Sequence, residues 1–86
     1  MKQHNQIGKR PKKIEILEAK KGRTFVTPKG REYIFDFEQV TPRKIHFIVV
    51  YGGKRWRMSE SDFNRTPIDS IIDSIERAIS DTENMQ

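Results

Sequence analysis

From Lys13 to Phe63 apolar residues recur in short runs separated by turn residues. KIEILEA (13–19) reads as a first strand that ends at Lys20-Lys21-Gly22, and RTFV (23–26) as a second. Thr27-Pro28-Lys29-Gly30 follows as a turn, with Pro suited to position i+1 and Gly to i+3. In REYIFDFEQV (31–40) alternation sets Tyr33, Phe35 and Phe37 on one face, and the other is mostly acidic, with Glu32, Asp36 and Glu38. Thr41-Pro42 breaks that run. KIHFIVVY (44–51) is apolar at nearly every position, the mark of a central strand covered on much of both faces. Gly52-Gly53 tolerates the positive φ of a tight hairpin. KRWRMS (54–59) then puts Trp56 and Met58 on one side and Arg55 and Arg57 on the other.

The period changes after Thr66. Ile68, Ile71, Ile72, Ile75 and Ile79 fall at helical spacing, with Thr66 as N-cap, Pro67 at N1 and Asp69 at N3. These signals predict a helix over 66–80 and a frayed tail over 81–86. β-branched residues lower its intrinsic propensity, so tertiary packing must hold it. The predicted fold is mainly β with one C-terminal α-helix: a small five-stranded antiparallel SH3-like barrel, or a bent sheet capped by the helix. It forms a single domain over 13–80. Residues 1–12 read as a flexible basic arm carrying Lys2, Lys9, Arg10 and Lys12.

Composition narrows the chemistry. The 86 residues contain no cysteine, which removes disulfides, thiol catalysis and Cys-based zinc sites together. Hydrophobic residues make up 34% and charged residues 34%, so the core is small and leaves little room for a deep cofactor cavity. No apolar run approaches the roughly 20 residues of a membrane span, and the polar start lacks a signal-peptide core. A soluble cytoplasmic or nucleoid-associated domain is expected, with no membrane partner. The formal charge is +5, and its distribution is uneven. All bases but Arg65 and Arg77 precede residue 58, whereas most acids follow it. A basic body with an acidic end suggests that only the first part faces a polyanion.

Catalysis finds no support in the motifs. His4 and His46 stand far apart, and no zincin, nucleophile-elbow, P-loop or EF-hand pattern occurs. Asp69, Asp73 and Glu76 read as a solvated helix face, and Asp36 with Glu38 as partners in cross-strand charge pairs. The expectation is a non-enzyme without cofactor or metal. Binding is better served. Across the Gly52-Gly53 turn the aromatic set fits the core, leaving Lys44, His46, Ile48, Arg55 and Arg57 on the outer face, with Arg43 and Lys54 near its ends. Lys12 and Lys13, where the arm joins the domain, complete the candidate set. Guanidinium groups bond phosphates or base edges, and apolar side chains pack on sugars or bases. The plainer alternative is that the helix or the 13–19 strand covers Ile48 and Val50, leaving the arginines merely solvated. Trp56 suits a base-stacking platform by type, but alternation groups it with Met58 and the core.

The stretch IHFIVVYGGKRWRMSESD (45–62) resembles the seven-kilodalton chromatin proteins of Sulfolobus. The resemblance lies in Ile45 and Phe47 on one strand, Gly52-Gly53-Lys54 at the turn, and Ser59-Glu60-x-Asp62 before the helix. It implies a five-stranded SH3-like barrel with a C-terminal helix that binds the DNA minor groove through a three-stranded sheet. The DNA-facing positions then match Lys44, His46, Ile48, Arg55 and Arg57. A looser likeness is to the single-strand-binding sheets of the positive-cofactor-four and PUR type, which implies dimerisation through the helix. Two functions follow as expectations. The first is nucleic-acid binding, DNA ahead of RNA, by a monomer or homodimer. The second is a small protein-interaction module of phage or plasmid type, docking on a host protein through its acidic helix or a sheet edge.

Overall fold

The computed structural model describes residues 13–84. Helix α1 (Lys13–Lys20) leads into four strands, β1 (Thr24–Val26), β2 (Glu32–Thr41), β3 (Lys44–Tyr51) and β4 (Lys54–Ser59), followed by α2 (Glu60–Arg65) and α3 (Ile68–Asn84). The strands pair antiparallel in the order β1-β2-β3-β4, an open sheet with β1 and β4 at its edges. The expected antiparallel sheet and C-terminal helix are present, but among the described residues there are four strands rather than five, the sheet does not close into a barrel, and two further helices make the fold α plus β rather than mainly β. The predicted arm lies outside the described residues.

The missing strand is α1. Its Leu, Glu, Ala and Lys residues favour helix, and Glu15 in the first turn and Lys20 in the last suit the helix dipole. A strand would point Ile14 and Ile16 to the same side. In the helix Ile14 and Leu17, one turn apart, face the core, while Ile16 is left 42% exposed. Gly22, at φ +76°, then turns the chain so that its N–H donates to the Phe35 carbonyl at 2.7 Å and β1 can begin.

Both predicted turns are present. The Gly30 N–H donates to the Thr27 carbonyl at 2.8 Å, closing a β-turn with Pro28 at i+1, and Gly30 itself has φ +84°. Gly52 and Gly53 have φ of +59° and +81°, as a two-residue hairpin between Tyr51 and Lys54 requires. A Cβ on Gly52 would stand 2.9 Å from the Ile79 side chain, so the helix rests directly on this turn.

Register fixes the faces. Phe35 stands opposite Val49, Phe37 opposite Phe47, and these in turn opposite Trp56 and Met58. On that face two clusters form. Leu17 packs with Phe35, Phe37 and Phe47, and Phe63 of α2 meets Phe47 edge-on at 4.9 Å. Val49 packs with Ile71, Ile72 and Ile75 of α3, against which Trp56 is half-buried. Burying each of these isoleucines is worth roughly 1.5–3 kcal/mol, which supplies the tertiary stability that α3 needs. The helix begins slightly later and runs further than predicted: Thr66 ends α2, the Pro67 carbonyl accepts the first α3 bonds, and helical turns continue through Asn84. Ser59 caps α2 instead, its hydroxyl accepting the Asp62 N–H at 3.0 Å.

Candidate nucleic-acid interface

The face turned away from the helices is built by alternation on three strands. Its rows read Ile34–Val50–Arg55, Asp36–Ile48–Arg57 and Glu38–His46–Ser59. Lys44 continues the β3 side of this face at one end, and Arg43 stands exposed in the adjoining turn. Five of the expected residues, Lys44, His46, Ile48, Arg55 and Arg57, therefore share one face, which no described element covers.

Its arginines are not free. The Arg55 Nη1 lies 3.2 Å from Asp36 Oδ2, and the Arg57 Nε 3.9 Å from Glu38 Oε1. Each pair joins β4 to β2, so both bridges straddle the central strand diagonally. Ile48 lies in the row between them and is only 2% exposed. No described helix or further strand lies above it, and the long paired side chains of Arg55 and Arg57 flank it on this face. Both guanidinium groups remain 60% exposed. Exposed pairs of this kind contribute about 0–1 kcal/mol, so an anion can exchange with the carboxylates at little cost. His46 is half-buried between Glu38 and Ser59, and its Nδ1 has no hydrogen-bond partner.

Three expected residues fall elsewhere or outside. Lys13 sits on α1, over the opposite face of the sheet, and forms an ion pair with Glu60. Lys54 stands opposite Tyr51 on the helix-covered side of the hairpin. Lys12 lies outside the described residues.

The acidic row of α3 has a partner that the sequence pattern does not announce. Arg31, just past the Gly30 turn, donates from Nη2 to Asp69 Oδ1 at 2.8 Å, and from Nη1 to Asp73 Oδ1 at 2.8 Å and Glu76 Oε1 at 3.1 Å. Its Nη2 also reaches the Asp69 carbonyl at 3.0 Å, and the Lys29 N–H donates to Asp69 Oδ2 at 3.2 Å. The Tyr51 hydroxyl donates to Glu76 Oε2 at 2.6 Å. Hydrogen bonding to Asp69 and Asp73 drives the Arg31 pKa further up. For Asp69, burial alone acts to raise the pKa, but bonds from the Thr27 hydroxyl, Arg31 and the Lys29 N–H outweigh it and hold the carboxyl below its usual range. Arg31 likewise lowers Asp73. Asp69 therefore joins helix to hairpin rather than serving as an N3 cap. Acids at i, i+4 and i+7 flank the isoleucine stripe, which is the one sequence sign that they meet the body of the protein.

With these acids engaged, the charge map changes. Lys2, Lys9, Arg10 and Lys12 supply four of the 17 bases, while all 12 acids lie within 13–84. The described body is thus close to neutral, and the net positive charge belongs mostly to residues 1–12. No helix among the described residues is long and apolar enough to cross a membrane. Compared with known protein families, with curated proteins and with solved structures, the chain matches none.

Proposed function

We propose that the chain is a non-enzymatic nucleic-acid-binding domain that holds duplex DNA through phosphate contacts on its open sheet face, aided by the basic residues of 1–12. The observation that carries this reading is the side-by-side display of Arg55 and Arg57, each 60% exposed, beside Lys44 on a face that no described element covers. Phosphate oxygens replace the Asp36 carboxylate, which accepts from Arg55, and the Glu38 carboxylate, which only pairs with Arg57 at 3.9 Å, so one anion exchanges for another. Duplex is favoured over single strands because the sheet's aromatic residues, Trp56 among them, lie on the opposite face, leaving no stacking platform. Against the alternative of docking through the acidic helix, Arg31 of the same chain already bonds Asp69, Asp73 and Glu76.

Fluorescence-anisotropy titration against matched duplex DNA, single-stranded DNA and RNA at two salt concentrations tests the proposal. Duplex binding that weakens steeply with salt is expected, and replacing Arg55 and Arg57 together by Ala should reduce the log–log salt slope by about two. Absence of binding at low salt overturns the reading. Binding indifferent to both arginines shows that the face is wrongly assigned.

A further inference from the structure

Lys21 brings a positive charge to the open face from outside the sheet. β1 pairs with β2 only along Glu32–Ile34, and no described strand lies beyond Phe35 on that edge. Lys21 enters there from the end of α1. Its backbone is pinned on both sides, the Lys21 N–H donating to the Glu18 carbonyl at 3.3 Å and the Gly22 N–H to the Phe35 carbonyl at 2.7 Å. The Lys21 Nζ stands 4.6 Å from the centre of the Phe37 ring and 3.8 Å from Asp36 Oδ1. Phe37 belongs to the helix-covered side of β2 and Asp36 to the open side, so the ammonium sits on the rim between the two faces.

Asp36 is thereby bracketed by two cations. Its Oδ1 faces Lys21, while its Oδ2 accepts from the Arg55 Nη1 at 3.2 Å. Oδ1 also accepts the Phe37 N–H at 2.8 Å, which fixes the carboxylate between them. One anion presenting an oxygen to each of two cations is what a phosphodiester does with its two unesterified oxygens. Lys21 is 45% exposed and Arg55 60%, so both cations remain within reach of an incoming anion. The Phe37 ring attracts the ammonium independently of Asp36 and keeps it at the rim when the carboxylate is exchanged.

We propose that Lys21 is a phosphate ligand of the DNA face, and that Lys21 and Arg55 grip one phosphodiester from opposite sides, with Asp36 as its internal stand-in. The inference rests on the DNA reading and widens its surface from the strands to the turn between α1 and β1. Asp36 keeps the Phe37 N–H when its two cations turn to the phosphate.

Anisotropy titration of the full chain and its variants with duplex DNA tests the site. At about 0.1 M salt Lys21→Gln should weaken duplex binding about fivefold, and Lys21→Arg should keep it within about twofold. Arg77→Gln removes the same charge from α3, the helix packed on the other side of the sheet, and should change binding by less than about twofold. The combined Lys21→Gln/Arg55→Ala loss should fall about threefold short of the product of the single losses, because neither cation alone pins the phosphate. All these positions are exposed, and circular dichroism establishes that the variants fold. Duplex binding that Lys21→Gln leaves unchanged overturns this site while the DNA reading stands. So does a loss that Arg77→Gln matches, which marks overall charge, or single losses that simply multiply. No duplex binding by the wild-type chain overturns both.

Discussion

The molecule uses arginine–carboxylate pairs in two places, and the same chemistry does different work in each. At Arg31 the guanidinium is 18% exposed and its main partner Asp69 14%, and three acids of one helix converge on it. At Arg55 and Arg57 the groups are 60% exposed, and each meets a single carboxylate across a strand. The first arrangement satisfies the planar fork from several sides and ties a hairpin to a helix some 40 positions later in the chain. The second leaves donors facing water. Convergence makes a latch, whereas isolated exposed pairs make a surface whose partners can be exchanged.

The largest expected effect is at the latch. Arg31→Ala should lower the midpoint of thermal unfolding by several degrees and loosen α3, and Arg31→Lys should recover only part of the loss. Arg55→Ala should change stability by no more than about 0.5 kcal/mol. Melting curves followed by circular dichroism compare the two directly, and equal stability of both variants would erase the distinction. The next effect is on pH dependence. Asp69 and Asp73 have lower pKa values folded than unfolded, so their stabilisation is complete above the ordinary value of 3.8 and drains away as pH falls through the folded values. Tyr51 runs the other way. Its hydrogen bond to Glu76, then burial, raise its pKa, so its contribution holds below the ordinary 10.0 and is lost as pH climbs through the folded value. Stability measured by unfolding from pH 2 to 11 should therefore fall off at both ends, with a flatter acid limb in Arg31→Ala. The smallest effect belongs to the open face. Asp36→Asn with Glu38→Gln keeps the shapes and the acceptor for the Phe37 N–H, so stability should move by less than about 0.5 kcal/mol. DNA affinity should rise severalfold, because the freed guanidinium groups no longer exchange one anion for another. An unchanged affinity would mean that these carboxylates do not compete with phosphate.

Local rules made much of this architecture legible. The Thr27–Gly30 and Gly52-Gly53 turns, the alternation that sets Phe35 against Asp36, and the isoleucine stripe of α3 all follow from backbone preferences and side-chain period, which act over a few residues. The same alternation separates Arg55 and Arg57 from Trp56. What escaped depends on distance or on competing local signals. Residues 13–20 contain apolar side chains at spacings that suit either a strand or a helix, and only the packing of Leu17 against Phe35 and Phe47 decides. Arg31 meets Asp69 through a contact between elements that no periodicity encodes. The two diagonal bridges beside Ile48 become visible only once β2 and β4 are known to flank β3.

The uninterrupted order of the strands has a consequence for how the chain is made. On a ribosome each strand emerges next to the one it will pair with, so the sheet can zip up hairpin by hairpin without waiting for any distant segment. Until α3 follows, however, Val49 and Trp56 have no isoleucine stripe to cover them, and the nascent sheet presents a greasy flank to its surroundings. Arg31 is by then already mounted on its turn, a cationic mooring post in place before the acidic helix arrives. The interval between the emergence of β4 and that of α3 is therefore the moment of greatest exposure to chaperones and to aggregation, and it ends when the helix ties up.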